Sequence, residues 1–355
     1  MNKGLSKLGL DVHVFVFNND VFEDCYGVVP YIKEPEVCYR SKPRIGLAIS
    51  HRSISNVRIL SELNGREYSL VLYDESMRKL YSVDGRLKHL SDPLLPEVVI
   101  DSRALPHKLP EARYARLVIG SIAEDLELPP QVRVYGRITD FHGRPRKGYV
   151  QLVSPYGFPV GGAIVRVGED GRYELYAPKA IYHHAFICDG GYGRNTLEFY
   201  GWNVPIEPPE FRLDARFDKI EIYRLSAMET PERTLMIHFV AWDIAYTSGI
   251  LKTIYESKGG IDIKDICGLD ILTPLRKSDV EVYLGEQKLE VRTMRKIEYS
   301  IKDYGVKCLT KAYLLEAKIP SSLPRGKYPL RLVAHTVING VKEWGEAVLY
   351  DIRII

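Results

Sequence analysis

Alternation of apolar and polar residues with a period of two runs through most of the chain and constrains its fold more than any other feature. The alternation is clearest in five segments, which are residues 12–17, 68–73, 219–223, 280–284 and 328–333. Successive side chains of a β-strand point to opposite faces of the sheet, so this period predicts strands with one buried face. We therefore expect a protein made mostly of β-strands.

Turn signals separate these segments and predict how the strands are connected. Asn-Gly or Asp-Gly pairs occur at residues 64–65, 84–85, 170–171 and 339–340. Such pairs supply the positive φ angles that tight hairpins need. Short strands with turns at this spacing predict antiparallel sandwiches and not a parallel sheet. The strand at residues 12–17 has no charged residue to protect its edge, so we expect it to pair with its own domain or with a neighbouring subunit.

One segment has a helical pattern. Between residues 242 and 257 the residues Ile244, Leu251, Ile254 and Tyr255 recur near helical spacing, and Gly259 follows as a stop signal. The sequence therefore predicts one short helix, which we expect to cover an open end of a sandwich.

The length and two composition changes predict three domains. A chain of 355 residues exceeds one hydrophobic core, because single domains hold roughly 150 residues. The prolines at residues 129–130 and the loss of strand pattern at residues 224–231 indicate linkers. We expect three consecutive β-sandwich domains, at residues 1–130, 131–225 and 226–355, with the helix in the last.

The middle segment carries a recognisable series of motifs. A strand ends in the turn Asp140-Phe141-His142-Gly143-Arg144-Pro145, Gly162-Ala163 precedes a second strand, and Asp170-Gly171-Arg172-Tyr173 precedes a third. This series resembles the carboxypeptidase regulatory-like domain, a transthyretin-like β-sandwich. The resemblance implies a folding, spacing or binding module without catalytic residues. The turn and alternation predict that residues 140–145 turn and that Tyr173 and Leu175 are buried.

The resemblance does not extend to all of the chain. Residues 154–159 add a loop that departs from the pattern of the carboxypeptidase regulatory-like domain. Residues 323–330 and 344–348 are similar to the last two strands of an immunoglobulin-like sandwich. The immunoglobulin-like shape is too common to indicate a function.

Composition argues against several classes of protein. The net charge is only +3 and is spread along the chain, with one short basic cluster at residues 144–147, so we expect no nucleic-acid binding. No apolar run approaches the roughly 20 residues of a membrane helix. No signal peptide is evident, which indicates a cytoplasmic protein unless a leader has been removed. Few glutamines and many charged residues are typical of a thermophile.

The cysteines and histidines do not predict a metal site. Five cysteines are scattered without a C-x-x-C pair, so zinc is not expected. A disulfide between Cys25 and Cys38 would fit an extracellular or hyperthermophile protein, and the alternative is buried free thiols. His183 and His184 are neighbours in a strand, so we expect them on opposite faces, unable to hold one metal.

The segment around residues 182–202 is the best candidate for a binding site. It contains six aromatic residues around a glycine-rich loop at residues 189–195. We expect Tyr192 and Arg194 to be exposed at the loop tip, since Tyr, Trp and Arg are enriched at binding hot spots. The candidate ligand-binding residues are Asp189, Tyr192, Arg194, Asn195 and Trp202. The alternative is that the loop only connects two core strands.

These patterns favour a protein without catalytic activity. The sequence contains none of the motifs of lipases, zinc proteases or P-loop enzymes, and no cofactor is expected. Asp189 and Glu198 flank the loop and could face each other across a hairpin, as the carboxylate pair of a glycoside hydrolase would. We predict a non-catalytic binding or assembly module that contacts a protein partner or itself. The alternative is a carbohydrate-active enzyme or a carbohydrate-binding accessory module.

Overall fold

A computed structural model describes residues 4–27, 36–90, 98–157, 160–259, 261, 269–303 and 306–355 of the chain. Strands dominate these residues, and the α-helices among them are α1 (Val57–Glu62) and α2 (Ile244–Lys258). Neither of these helices has the length and apolar character needed to cross a membrane. The prediction of an all-β protein is confirmed.

The N-terminal part of the chain forms a sandwich and a separate hairpin. Its strands are β1 (Leu10–Phe17), β2 (Phe22–Gly27), β3 (Glu36–Ser41), β4 (Arg44–His51), β5 (Glu67–Tyr73), β6 (Lys79–Arg86), β7 (Lys88–Leu90), β8 (Val98–Ala104), β9 (Tyr114–Ile119) and β10 (Ile122–Glu127). One sheet has the order β1-β4-β8-β7 and the facing sheet has the order β10-β9-β5-β6. Leu47, Leu70 and Leu117 belong to the core between them, and β2 pairs with β3 alone.

The middle part of the chain forms a second sandwich. Its strands are β11 (Gln131–Thr139), β12 (Gly148–Val153), β13 (Gly162–Val167), β14 (Arg172–Pro178), β15 (Ala180–Cys188), β16 (Phe199–Ile206), β17 (Glu210–Arg212) and β18 (Ala215–Arg216). Strands β14, β11 and β17 form one layer, and β13, β12, β15 and β16 form the other. Tyr173 and Leu175 are buried between the layers, as the alternation predicts.

The C-terminal part of the chain contains long strands that fold over one another. They are β19 (Ile220–Glu229), β20 (Thr234–Asp243), β21 (Val280–Leu284), β22 (Gln287–Asp303), β23 (Val306–Lys318), β24 (Gly326–Ile338) and β25 (Val341–Ile354). Strand β22 pairs first with β21 and then with β23, so it connects two layers. Residues from β19, β20 and β23 share a core with residues from β21, β24 and β25.

Most of the described strands pair antiparallel, as expected for sandwiches, and three short pairings among them are parallel. Strand β11 pairs in parallel with β17 and with β18, and β16 pairs in parallel with β25. The last pair joins the middle layer to the C-terminal strands in one sheet of eleven strands. Strands β16 and β25 are far apart in the sequence. Local sequence patterns therefore do not predict that they pair.

The three largest hydrophobic cores of the described residues do not divide at the predicted domain boundaries. Phe15 and Phe17 of β1 belong to the middle core, and Ile220 and Ile222 belong to the C-terminal core. Strand β19 runs from residue 220 to residue 229, across the predicted boundary at 225/226. The division into residues 1–130, 131–225 and 226–355 stays a prediction.

Three of the four turn predictions are confirmed. Asn339-Gly340 joins β24 to β25 with positive φ at both residues, and Gly65 and Gly171 also have positive φ in turns. The prediction at Asp84-Gly85 is wrong, because both residues lie inside β6. A Cβ atom at Gly85 would lie 2.7 Å from the Tyr68 ring, so close packing accounts for this glycine.

The predicted turn and helix are also present. Asp140 Oδ1 accepts hydrogen bonds from the backbone N–H groups of His142 and Arg144 at 2.8 and 2.9 Å, which fixes the turn. Helix α2 begins after Asp243, whose side chain accepts from the N–H of Tyr246, and ends at Gly259 in the left-handed region. The N-terminal strand β1 pairs with β4 along its full length, the first of the two pairings that we expected.

Candidate functional site

The outer face of the layer β13-β12-β15-β16 carries Trp202, one of the predicted site residues, on β16. Along β16, Phe199 points into the middle core. The next side chain, Tyr200, and then Trp202 lie on the opposite face because strand side chains alternate. Glu198 precedes the strand on this same face. The outer face is therefore polar at one end and aromatic along its length.

The hairpin β2-β3 covers one end of this face. A disulfide joins Cys25 to Cys38 across the hairpin. Tyr39 of the hairpin stacks on Tyr149 with 4.7 Å between ring centroids and accepts a hydrogen bond from the buried Cys188 thiol. Cys188 is a free cysteine, and its thiol is buried at this contact.

A charged contact fixes the same hairpin to the sheet. Asp24 accepts two hydrogen bonds from the Arg166 guanidinium at 2.8 and 2.9 Å and one from the Tyr149 hydroxyl. The hydrogen bond from Tyr149, followed by that from Arg166, lowers the pKa of Asp24 below its ordinary value. The guanidinium also lies over the ring of Phe22 at 4.6 Å. Opposite charges and aromatic contacts therefore hold this cover in place.

Strands β19 and β20 cover the other end of the face. Strand β19 lies very close to β25, because a Cβ atom at Gly345 of β25 would lie 2.1 Å from the carbonyl oxygen of Ile220 in β19. Tyr223 of β19 packs edge-on against Tyr200 and Trp202 at 5.3 and 5.7 Å. Glycine is required at residue 345 for this docking.

A continuous row of rings runs from the loop of residues 189–195 along β15 and β16 to β19 and β20, and we call it the aromatic belt. Its members pack on one another with ring centroids 4.9 to 6.1 Å apart, and all except the buried Tyr200 are half-buried. The belt comprises Phe186, Tyr192, Tyr200, Trp202, Tyr223 and Trp242. Half-exposed rings offer large, rigid contact area at low conformational cost.

Two buried carboxyl groups meet beneath the belt. Glu198 and Glu221 are 2% and 6% exposed and belong to different structural parts, the start of β16 and β19. Burial raises the pKa of Glu198 to about 7. Burial and the hydrogen bond to Glu198 raise the pKa of Glu221 well above its ordinary value. The pair therefore holds a proton at neutral pH, since two adjacent carboxylates cannot both ionise cheaply.

A second carboxyl pair lies near the first. Asp243 is fully buried and Glu343 is 2% exposed. Burial, then its hydrogen bond to Glu343, raises the pKa of Asp243 to about 8. Lys219 donates to Glu343 at 2.7 Å, so one positive charge accompanies this pair. Both pairs involve the β19-β20 region, where strands from two parts of the chain meet.

The glycine-rich loop of residues 189–195 joins β15 to β16 and has a buried anchor. Asp189 is 8% exposed and accepts hydrogen bonds from the Gly191 N–H and the Thr196 hydroxyl at 2.8 and 2.5 Å. It also forms an ion pair with Arg146 at 3.3 Å. Asp189 therefore shapes the loop from inside and is not exposed for a ligand.

The other candidate residues divide into two groups. The expected exposure of Tyr192 is wrong, because its hydroxyl donates to Glu198 at 3.3 Å and its ring packs edge-on against Phe186. Arg194 and Asn195 are exposed at the loop tip. Trp202 is half-buried and stacks on Tyr200 at 4.9 Å. The structure thus brings Tyr192 and Trp202 into the belt and leaves Arg194 and Asn195 at its edge.

The expectation for the histidine pair is wrong. The Nδ1 atoms of His183 and His184 lie 2.7 Å apart, so the rings do not lie on opposite faces. Side chains do not alternate regularly here, because residue 183 is left out of the pairing of β15 with β16. The residue opposite it, Asn203, has a positive φ of 52°. Burial and the neighbouring His183 lower the pKa of His184 to about 3. In the described part of the chain, no three His, Cys, Asp or Glu residues are grouped to hold a metal.

Sequence reasoning missed the residues that come from outside the segment of residues 182–202. Asp189 and Glu198 do not form the pair considered for glycoside hydrolysis. Asp189 accepts hydrogen bonds within its own loop, and Glu198 contacts Glu221. Glu221 sits between Ile220 and Ile222 in a strand pattern that predicts a solvent-facing side chain. The Glu221 side chain is buried because β19 packs against β16. The alternating pattern shows which face Glu221 occupies but not what covers that face.

Comparisons with known proteins add little. No protein-family model matches the sequence, and no curated protein matches it. The crystal structure of BcpA, the major pilin subunit of Bacillus cereus, aligns with 62% of this chain and 69% of its own at 12% identity and a TM-score of 0.18. A D312A variant of BcpA aligns over the same shares at 11% identity and the same TM-score.

A third crystal structure is of a protein from Corynebacterium diphtheriae described as membrane anchored. It aligns with 96% of this chain and 97% of its own length at 10% identity, again with a TM-score of 0.18. Scores this low do not support an inference about fold or function.

Proposed function

We propose that this protein is a non-catalytic binding or assembly module whose contact surface is the aromatic belt with the exposed tip of the loop of residues 189–195. The observation that carries the proposal is the position of Arg194 and Asn195, two exposed polar residues at the edge of a row of half-buried rings. A polar rim around an aromatic centre is the usual composition of a protein–protein interface. The partner is a second copy of the chain or another protein.

The rigidity of the surface supports this proposal. The loop is anchored by the hydrogen bonds of Asp189, and Tyr192 is held by Phe186 and Glu198. Rigid anchors lose little conformational entropy on binding. The middle segment's resemblance to a carboxypeptidase regulatory-like domain is compatible with a binding module, and it remains part of the proposal.

The test is sedimentation velocity over a range of protein concentrations. The double variant Arg194→Ala/Asn195→Ala removes both exposed side chains and leaves the belt intact. If these are hot-spot residues, association should weaken by about 1–3 kcal/mol, which is roughly a 5- to 150-fold higher dissociation constant. Stability should change by less than about 0.5 kcal/mol, because both side chains are exposed.

Arg58→Ala provides the matched control, since Arg58 is an exposed arginine on α1. It should leave both association and melting temperature unchanged. A wild-type protein that stays monomeric at every concentration would contradict self-assembly. Robust enzymatic turnover that a point substitution abolishes would contradict a non-catalytic role.

A second candidate function is carbohydrate recognition. The observation that favours it is a cavity of about 370 Å³ lined by Trp202 and several polar residues. Binding to a saccharide array would separate this candidate from a purely structural role.

A further inference from the structure

The cavity beside Trp202 lies where three strands separate. Strands β16, β19 and β25 form its walls. Strand β16 pairs with β25 only as far as Trp202 and Leu349, and the two strands diverge after that point. The volume of about 370 Å³ is within the range of small-molecule sites, ~300–1,000 Å³.

Each of the three strands has an irregular backbone at this level. Asn203 in β16, Arg224 in β19 and Asp351 in β25 have φ angles of 52°, 54° and 66°. The pairing of β19 with β20 and that of β24 with β25 both shift register next to these residues. Left-handed backbone is unfavourable at a residue other than glycine. Such bulges are common beside functional sites, where they redirect side chains.

The irregularities place polar side chains around an aromatic wall. Trp202 is half-buried and lines one wall of the cavity. Asn203 and Ser226 are exposed on two of the walls. An amide and a hydroxyl together offer donors and acceptors in different directions.

The charges around the cavity are nearly balanced. Glu229 and Asp351 contribute carboxylates and Arg353 a guanidinium. Lys327 forms an ion pair with Asp351 at 2.9 Å, so no strong net charge selects an ion. Carboxylate and amide oxygens accept from hydroxyl groups, and amide and guanidinium N–H groups donate to them. This set suits a neutral ligand rich in hydroxyl groups.

We propose that the cavity between β16, β19 and β25 is a binding site for a neutral saccharide unit, with Trp202 as its apolar wall and Asn203 and Asp351 as its polar contacts. This inference deepens the second candidate function and takes the class of ligand from it. It does not depend on assembly through the loop of residues 189–195, which lies at the other end of β16.

The backbone itself allows a sharp test. Asn203→Gly and Asp351→Gly each remove a polar side chain, and glycine adopts positive φ freely, so the backbone can keep its course. Asp351→Gly also removes an exposed ion pair, worth at most about 1 kcal/mol. Asn339→Gly makes the same change at a positive φ of 51° in the β24-β25 turn, away from the cavity, and is the matched control.

Isothermal titration calorimetry with glucose, galactose, mannose and N-acetylglucosamine, together with thermal melts, provides the measurement. We expect at least one of these sugars to bind the wild type. Its affinity should fall about tenfold or more, equivalent to the loss of ~1.4 kcal/mol, in Asn203→Gly and in Asp351→Gly. Asn339→Gly should bind as the wild type does, and all three variants should remain folded.

The other outcomes separate the site from the candidate function. If a sugar binds and both cavity variants keep the wild-type affinity, carbohydrate recognition stands and this site is wrong. If none of the four sugars binds at millimolar concentration, the proposal for the cavity is overturned. A positive saccharide array with that result would leave the candidate function standing with a different ligand site.

Discussion

The two ends of the outer face of β13-β12-β15-β16 are covered in chemically opposite ways. At one end, the hairpin β2-β3 is fixed by an aspartate against an arginine, with a disulfide inside the hairpin. At the other end, β19 docks with a buried glutamate against a second glutamate. An ionised acid strengthens the first contact, whereas it weakens the second. The two covers therefore respond to pH with opposite signs.

The largest expected effect concerns the glutamate pair. The folded pKa of Glu198, about 7, lies above its unfolded value of roughly 4.3. Its contribution to stability is therefore complete below about pH 4 and is lost as the pH rises toward 7. Glu198→Gln cannot ionise. Between pH 5 and pH 8 its free energy of unfolding should rise relative to the wild type by on the order of 3 kcal/mol.

Chemical denaturation of both proteins at a series of pH values measures this difference. Comparison with the variant is needed because burial lowers the pKa of His184 to about 3, which changes stability in the opposite direction below about pH 6.5. Glu169→Gln, at an exposed glutamate, is the control. A difference between Glu198→Gln and wild type that does not vary with pH would show that the pair does not hold a proton.

The next effect concerns the disulfide of the other cover. Cys25→Ser/Cys38→Ser opens a cross-link between residues 13 apart in sequence. Closing a loop of this size stabilises by about 2–3 kcal/mol. Amide hydrogen exchange should accelerate in β2 and β3, while β19 and β20 keep their protection. The wild type under a thiol reductant should behave in the same way, and unchanged exchange in the hairpin would contradict the account.

The smallest effect concerns the charged contact of the hairpin. Asp24→Asn keeps the shape of the side chain but weakens its hydrogen bonds with Arg166 and Tyr149. We expect a loss of about 1 kcal/mol at pH 7, because charge-assisted bonds at a partly exposed site are modest. Because the folded pKa of Asp24 is lowered, the loss should disappear only as the pH falls below about 4. A variant that differs equally from wild type at pH 3 and pH 7 would refute this role.

Local patterns in the sequence predicted the parts of the fold that local physics controls. Tyr173 and Leu175 are buried as the alternation predicts, and Asn339-Gly340 forms its hairpin because both residues tolerate positive φ. Helix α2 starts and ends at a capping aspartate and a left-handed glycine. These features depend on neighbours in sequence.

The candidate site could be predicted only in part, because its other half comes from distant residues. Trp202 and the loop of residues 189–195 lie in one segment rich in aromatic residues and were found. Tyr223, Trp242 and Glu221 join them only after β19 docks on β16. Tyr192 was expected in solvent because no local pattern reports its contact with Glu198.

Hydrogen exchange at two protein concentrations tests the central claim, that the belt and its loop form the contact surface. Peptides that cover residues 189–195 and β16 should gain protection as the concentration rises, because association shields their backbone amides. Peptides from β6 and β10, at the far edges of the N-terminal sandwich, should not change. Protection that appears at β6 or β10 and not at the loop would contradict the account.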